Sequence, residues 1–320
     1  MAVNRDKPDR WKDDINQSVD MYNDWFLRFA PDAYRETRVQ TTRDVEATLI
    51  ATRDLTDISA ALLRANPSAL PSLRMATCPP LAVDRLIGLS GVPANLVRVM
   101  ERDQRLPARM SRQEVDRGLA SISATIRRMA DPDIFVWLER GDTPSEQERY
   151  RATTIVADRL CGSVANPIIR NAQERRQLAY VAQWLGERGY TSVPPGEYRR
   201  HDNLDPGTFA LRLNIPAEQE GTGRRVSIPV DAAIMRRTAR AGDMPLLIEA
   251  KSAGDFTNVN KRRKEEATKM GQLRQTYGDD VEFVMFLCGY FDSGYLGYEA
   301  AEGIDWVWEH RIEDLAEFGL

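Results

Sequence analysis

The chain has 320 residues, with 44 Lys and Arg against 48 Asp and Glu, so its formal net charge at pH 7 is −4. A hydrophobic content of 42% excludes an intrinsically disordered chain, and the length suffices for one large domain or two smaller ones. The sequence has no apolar run of about 18 residues and no apolar stretch near its first residues, so we expect neither a membrane span nor a secretory signal.

Residues that often build metal sites or nucleophilic triads are scarce. The three cysteines are Cys78, Cys161 and Cys288, and their wide spacing argues against a disulfide framework or a cysteine-ligated zinc site. We therefore expect the reducing environment of the cytoplasm. With only His201 and His310, neither a histidine metal site nor a Ser-His-Asp triad is expected. An enzyme of this composition would use carboxylate ligands, and the mild acidity gives no overall sign of nucleic-acid binding.

The first half of the sequence has a helical pattern. From Asp9 to about Asn166, apolar residues recur at three- and four-residue spacing, and Ser111 with Glu114 is typical of a capping box at a helix start. The predicted helices are 15–29, 42–55, 80–91, 94–102, 111–129 and 144–161. Segment 81–102 resembles a helix-turn-helix, which either contacts DNA or packs within a helical domain.

The second half changes to strands after a further helix at about 167–189. Short alternating or β-branched runs predict strands at 208–215, 225–235, 245–251, 281–291 and 304–312. A charged helix is predicted from roughly Asn258 to Tyr277. Segment 287–298, where Gly and Tyr alternate, predicts either a recognition loop or a packed turn.

This order of elements indicates the fold class. Strands that follow a helical region and enclose one helix predict an α/β (α+β) fold, with a mixed β-sheet flanked by helices. The change of pattern places a boundary between about 150 and 165. We therefore predict a helical domain over 1–160, used for DNA binding, dimerisation or support, and a sheet-containing domain over 161–320.

Two short motifs in the predicted sheet suggest chemistry. Glu249 and Lys251 are two residues apart on one strand, so their side chains share a face, and a hairpin would bring Asp231 close to Glu249. Two adjacent carboxylates repel each other, which favours a divalent cation between them. Mg²⁺ fits this site, with the carbonyl of Ala250 as a further ligand. The alternative is a sheet edge with solvated charges.

A cation at this site would favour phosphodiester hydrolysis. Bound Mg²⁺ lowers the pKa of a water molecule and neutralises charge that develops on phosphoryl oxygens. Lys251 would hold the attacking water, help to deprotonate it, or stabilise the pentacovalent phosphorane. Glu174 lies on one helix stripe with Leu178 and Val181, so it could reach the same site. Its alternative is an ion pair with Arg170.

The modest net charge conceals a segregated distribution. Six Lys and Arg against two Glu lie between Thr257 and Gly278, whereas eleven acids against Arg311 alone follow from Asp279 onward. A basic helix directly after the Glu249 strand is well placed to meet DNA phosphates and base edges. The predicted DNA-binding residues are Asn258, Asn260, Lys261, Arg262, Arg263 and Lys264. The alternative is a solvated helix face held by ion pairs four residues apart.

Several long strings resemble a known family. They are NPIIRNAQERRQLAYVAQWLGERGY, IPVDAAI, LIEAKSAGDFTNVNKRRKEEATKMGQLRQTYG and FLCGYFDSGYLGYEAAEGIDWVWEHRI. The region from about Asn166 to Leu315 resembles the XamI-type restriction endonucleases of the PD-(D/E)XK nuclease superfamily. The helical half, from near MYNDWF, is similar too, so the resemblance covers most of the chain.

The resemblance implies a type II restriction enzyme that needs Mg²⁺, for which Mn²⁺ may substitute, and that cuts double-stranded DNA at a short palindrome. A homodimer and a companion DNA methyltransferase are implied with it, and the family is associated with the site GTCGAC. By the superfamily pattern, Asp231 and Glu249 would be metal ligands, Lys251 the catalytic lysine, and Glu174 the acidic residue on the preceding helix. The usual Pro-Asp pair is one residue wider here, with Val230 between Pro229 and Asp231.

Two other functions remain open at this point. One is a structure-specific PD-(D/E)XK repair nuclease, which would cut at junctions or nicks and not at one sequence. The other is a DNA-binding regulator with a degenerate nuclease fold that no longer cuts. The complete set of Asp231, Glu249 and Lys251 argues against the regulator.

Overall fold

The computed structural model describes residues 2–194, 204–219, 224–240, 242–256 and 263–320. The helices within these ranges are α1 Pro8–Ala51, α2 Ala60–Ala65, α3 Leu70–Met75, α4 Val83–Ser90, α5 Ala94–Asp103, α6 Arg112–Met129, α7 Trp137–Arg140, α8 Glu146–Glu187, α9 Arg263–Tyr277 and α10 Ser293–Ala301. The strands are β1 Thr191–Ser192, β2 Thr208–Glu218, β3 Arg225–Ile234, β4 Leu246–Ala253, β5 Phe283–Gly289 and β6 Asp305–Trp308. Short 3₁₀ helices span Pro67–Ala69 and Glu309–Phe318. Among the described helices, none has the length and apolar character needed to cross a membrane.

The chain packs into two compact units. The sheet unit comprises Met1–Phe29 and Arg170–Leu320, and the helical unit comprises Ala30–Ile169. Helices α1 and α8 each contribute residues to both. These units describe packing, and the predicted functional division into 1–160 and 161–320 stays a prediction.

Helices α1 and α8 are longer than the sequence pattern predicts. Each replaces two predicted helices, and each continues through a proline, Pro31 in α1 and Pro167 in α8. An interior proline removes a hydrogen bond and costs roughly 3 kcal/mol. In α8, however, Leu160 before the proline and Leu178 after it are buried, so packing on both sides favours the continuous helix. The predicted breaks were therefore wrong.

The helix-turn-helix pattern has the predicted secondary structure. Helices α4 and α5 are separated by three residues, of which Gly91 has a φ of 62°, a left-handed conformation that glycine adopts without strain. Leu86 and Leu96 on the two helices are fully buried in the core of the helical unit. Contact of this motif with DNA stays a prediction.

The six described strands form one mixed sheet in the order β1-β2-β3-β4-β5-β6. Pairs β2–β3 and β3–β4 are antiparallel, whereas β1–β2, β4–β5 and β5–β6 are parallel. The predicted α/β (α+β) class is confirmed. The last predicted strand is shorter than expected, since β6 ends at Trp308 and a 3₁₀ helix follows.

Two apolar cores cover the sheet. The α9-side core includes Met270 and Leu273 of α9 with Tyr295 and Leu296 of α10. The α8-side core includes Val181, Trp184 and Leu185 of α8. Strand β4 contributes to both, with Leu247 in the α9-side core and Ile248 in the α8-side core, as strand alternation requires.

Segment 287–298 was predicted to be a recognition loop or a packed turn. In the structure it contains the end of strand β5 and the first part of helix α10. Strand β5 ends at Gly289, and α10 begins at Ser293, where the Asp292 carboxylate accepts a hydrogen bond of 2.7 Å from the Tyr295 amide. Burial of Tyr295 supports the helix against the weak propensity of its glycines. Gly289 has a φ of 103°, and a Cβ there would lie 2.1 Å from the Ala253 carbonyl oxygen, so only glycine fits this close approach.

Candidate active site

The predicted hairpin of β3 and β4 places Asp231 beside Glu249. Ala232 pairs with Ile248 across the two strands, and the next position in this antiparallel register sets Asp231 opposite Glu249. The Asp231 carboxylate accepts a hydrogen bond of 2.8 Å from the Ala250 amide. The expectation that a hairpin brings these residues together is confirmed.

Asp231 lies in a strongly negative environment. Burial, followed by the neighbouring Glu249 carboxylate, raises the pKa of Asp231 to about 6, although the Ala250 amide opposes this shift. Glu174 raises the same pKa further, and Lys251 lowers it. The charges of Glu249 and Glu174 therefore both act on the Asp231 carboxyl group.

Glu249 and Lys251 belong to a chain of alternating charges. The Glu249 carboxylate lies 3.1 Å from the Lys251 ammonium and 2.7 Å from the Lys269 ammonium. Lys251 also lies 2.8 Å from the carboxylate of Glu266, whose side chain is fully buried. Burial alone would lower the pKa of Lys251, but the two carboxylates outweigh it, and the net pKa is raised. Lys251 is therefore held as an ammonium ion.

Glu266 and Lys269 are site residues that the sequence reading missed. They are three positions apart on α9 and pair crosswise with Lys251 and Glu249, which are two positions apart on β4. From the sequence, we predicted that the charged side chains of this helix contact either DNA or solvent. A signal was present, because Glu266 precedes the buried residues Met270 and Leu273 at positions i, i+4 and i+7 of one helix stripe.

Glu299 on α10 adds a further buried acid to this region. Its side chain is fully buried, and burial, followed by the charge of Glu266, raises the pKa of Glu299 to about 8. Glu299 is thus protonated over much of the neutral range. Among the described residues of this region, carboxyl groups outnumber ammonium groups.

Glu174 pairs with an arginine that the sequence reading did not consider. The Glu174 carboxylate lies 2.9 Å from the guanidinium of Arg212 on β2, and both side chains are accessible, at 38% and 58% exposure. Leu211 pairs with Ala232 and Leu213 with Val230, so Arg212 lies opposite Asp231 in the register of β2 and β3.

At Arg212 and Asp231, the side chains of β2 and β3 change the face of the sheet on which they lie. On either side of this pair, the apolar residues change from one core to the other. Those in the α8-side core are Phe209, Leu211, Ala232 and Ile234, and those in the α9-side core are Leu213, Ile215, Ile228 and Val230. Strict alternation would have kept Leu211 and Leu213 on the same face.

The reversal has a conformational cost at Arg212. Its φ of 57° lies in the left-handed region, and a non-glycine residue there carries about 1–3 kcal/mol of strain. An exposed ion pair such as Arg212–Glu174 contributes only about 0–1 kcal/mol. The stabilisation from the Arg212–Glu174 ion pair is therefore smaller than the strain energy of the Arg212 backbone.

The donor chemistry of this region fits Mg²⁺. Asp231 and Glu249 on neighbouring strands, with the main-chain carbonyl of Ala250, are the oxygen ligands that Mg²⁺ prefers. Burial, and then the charge of Glu249, raises the pKa of Asp231, and a bound cation would favour the ionised form against both effects. Within the described ranges, no group of three or more His, Cys, Asp or Glu is already placed to hold a metal ion.

The predicted DNA-binding segment is largely outside the described residues. Asn258, Asn260, Lys261 and Arg262 fall there, and Arg263 and Lys264 open α9 without a description of their side chains. Their contacts with DNA stay a prediction.

Comparison with known proteins gives a consistent result. The family model of the XamI restriction endonuclease matches residues 53–308. The chain is 50% identical over 317 residues to the type II restriction enzyme SalI of Streptomyces albus G, and the match covers 99% of each chain. Among solved structures, the crystal structure of protein VC1899 from Vibrio cholerae aligns with 87% of this chain and 55% of its own, at 12% identity and a TM-score of 0.28. A likeness that weak supports no conclusion.

Proposed function

The chain belongs to the XamI restriction endonuclease family and is a type II restriction enzyme, and we propose that it hydrolyses double-stranded DNA at the cluster of Asp231, Glu249 and Lys251. The observation that supports this site is the hairpin that sets Asp231 opposite Glu249, with the charged Lys251 beside them. The proposed target is a short palindrome, with GTCGAC as the candidate that the family resemblance suggests.

Asp231, Glu249 and the carbonyl of Ala250 would hold Mg²⁺, for which Mn²⁺ would substitute. Such a cation supplies positive charge for the phosphoryl oxygens and lowers the pKa of a nearby water. The protein holds the carboxylates of Asp231 and Glu249 side by side and limits the access of bulk water, since Glu249 is only 8% exposed.

Lys251 acts through its charge. Its ammonium lies 3.1 Å from Glu249 and 2.8 Å from Glu266, two carboxylates that favour the charged form of the side chain over a free base. It therefore orients the attacking water and stabilises negative charge on the phosphorus centre. Water adds to the phosphorus, one phosphorus–oxygen ester bond breaks, and the products are one end with a phosphate and one with a hydroxyl group.

The remaining parts of the proposal concern the assembly. A palindrome is matched by a two-fold dimer in which each active site cuts one strand, so we propose a homodimer. The basic residues Lys261 to Lys264 would bind phosphates beside the cut. A companion DNA methyltransferase in the cytoplasm would protect the host's own copies of the site.

The direct test is digestion of a sequenced plasmid by the purified protein, with Mg²⁺ or with EDTA, followed by mapping of the ends. Discrete fragments that require Mg²⁺ and share GTCGAC are expected. A matched plasmid with one base pair of that site changed should stay intact. Cutting at junctions or nicks would favour a repair nuclease, and tight binding without cutting in Mg²⁺ or Mn²⁺ would favour a non-cutting regulator.

A further inference from the structure

We propose that Arg212 binds the phosphate of DNA at the cleavage site, and that it exchanges its ion pair with Glu174 for this phosphate when DNA enters. The inference rests on the proposed function, since it names a further substrate-binding residue at the same site. Neither the superfamily motif nor the sequence pattern points to this arginine.

The position of Arg212 is the first argument. It lies opposite Asp231 on the adjacent strand, and its guanidinium is 2.9 Å from Glu174, a carboxylate whose charge acts on Asp231. The guanidinium is therefore at the margin of the carboxylate cluster and not on a remote surface. A phosphate that approached Asp231 and Glu249 would pass within its reach.

Accessibility is the second argument. The carboxylates of the cluster repel a phosphodiester anion, so a positive side chain that can leave its present partner would favour substrate binding beside a bound metal ion. The side chains of Lys251 and Lys269 are 15% and 20% exposed, and both are engaged by Glu249. Of the three basic side chains described at this cluster, Arg212 is the accessible one, at 58% exposure.

The chemistry of the guanidinium is the third argument. Its planar fork forms the same paired hydrogen bonds with a carboxylate as with two oxygens of a phosphate. Glu174 thus acts as a substitute for the phosphate while DNA is absent. The exchange replaces one anion by another of similar shape, so it requires only a turn of the side chain.

The backbone of Arg212 is the fourth argument. A left-handed residue at the point where β2 changes faces would be least strained as glycine. The sequence carries arginine there, although its exposed ion pair does not offset the strain. A side chain kept at such a position is explained by a contact that forms only with the substrate.

The test compares Arg212→Gln with Arg35→Gln, a control that removes another exposed ion pair, that of Arg35 with Asp32 on α1. Single-turnover cleavage by Arg212→Gln should fall about 100-fold, which is typical for loss of one charge-stabilising donor. For DNA binding without metal, the slope of log K against the log of the salt concentration should be smaller than that of wild type by about one. The control should stay within about twofold of wild type in both measurements.

Arg212→Gly separates a substrate contact from a structural role. Because glycine accepts the left-handed backbone, its midpoint of urea unfolding should equal or exceed that of wild type, while cleavage falls as far as in Arg212→Gln. Added guanidinium ion, below denaturing concentration, should restore part of the activity of Arg212→Gly. A loss of stability that parallels the loss of cleavage would assign Arg212 to the fold and overturn the proposal.

The outcomes also distinguish this inference from the proposed function. If wild type cuts DNA and Arg212→Gln cuts within about threefold of it, with an unchanged salt slope, only the role of Arg212 is lost. If wild type cuts no DNA, the proposed function fails, and the salt slope of metal-free binding still decides whether Arg212 meets a phosphate.

Discussion

Charged side chains that contact one another are arranged differently in the two units of this protein. In the described part of the helical unit, each buried charge lies against one opposite partner, as Arg74 does with Glu101 at 2.9 Å and Arg159 with Asp131 at 3.1 Å. In the sheet unit, five described acids meet three described bases around β3 and β4. The acids are Glu174, Asp231, Glu249, Glu266 and Glu299, and the bases are Arg212, Lys251 and Lys269.

The difference is consistent with two roles, in which the matched pairs support the fold and the unmatched acids form the proposed cation site. A matched pair recovers much of its desolvation cost, so it can stay buried without further partners. A surplus of carboxylates is tolerated only if some are protonated or if a cation joins them. Here burial, and then a neighbouring carboxylate, raises the pKa of Asp231 to about 6 and that of Glu299 to about 8, so each takes up a proton more readily than a free carboxyl group.

The largest expected effect is on a matched pair. Arg74→Met leaves the half-buried Glu101, whose side chain is 14% exposed, without its partner, and the loss should cost about 3 kcal/mol of the free energy of unfolding, the lower end of the range for buried pairs. Urea denaturation measures it. Arg98→Met, which removes the exposed pair with Asp84, is the control and should cost at most about 1 kcal/mol. If the two variants lose equal stability, burial of the Arg74 pair has no special importance.

The second effect concerns the unmatched acids. A divalent cation that binds only the folded state should raise the free energy of unfolding by about 2.7 kcal/mol at about one hundred times its Kd. Thermal unfolding with and without Mg²⁺, in the absence of DNA, measures this shift. Asp231→Asn and Glu249→Gln should each reduce it strongly. An equal shift in both variants would place the cation elsewhere.

The third effect isolates Glu299. Its folded pKa is raised to about 8 from 4.5, so the folded state retains a proton that the unfolded state loses between these values. The contribution of Glu299 to stability should therefore fall as pH rises from 4.5 to about 8, because the group must ionise in a buried place. Glu299→Gln should gain stability relative to wild type as pH rises over this range, with little difference between the two at pH 4.5. Parallel pH profiles of the two proteins would contradict this.

The smallest effect extends the comparison to the basic segment. Arg262→Ala and Arg263→Ala should each weaken DNA binding and lower the salt slope by about 0.9, if each side chain neutralises one phosphate. Binding titrations over a series of salt concentrations measure the slope. A slope that matches wild type in either variant would remove that arginine from the DNA surface.

Local patterns were sufficient to predict the hairpin of β3 and β4. Alternation along a strand sets Glu249 and Lys251 on one face, and the apolar run before them indicates burial, so the pairing with Asp231 followed from residues close in sequence. Helix ends were less predictable. Pro31 and Pro167 are strong local breaking signals, but packing along α1 and α8 outweighed them.

The missed residues depend on distant contacts. Arg212 lies opposite Asp231 because of the register between β2 and β3, which the sequence does not show. No local pattern predicts that the side chains change faces between Leu211 and Leu213. Lys269 could not be assigned without knowing how α9 packs on β4. Glu266 is different, because its place on the buried stripe of α9 was visible in the sequence.

The measurement that tests the central claim most directly is single-turnover cleavage of a labelled duplex that contains GTCGAC. Wild type, Asp231→Asn and Glu249→Gln would be compared with Asp32→Asn, a control from the exposed ion pair of Asp32 with Arg35 in the helical unit. The two site variants should cut at least about 10³-fold more slowly, which corresponds to about 4 kcal/mol of transition-state stabilisation, and still bind the duplex without metal. Cleavage by either site variant within about tenfold of wild type would show that the carboxylates around β3 and β4 do not cut DNA.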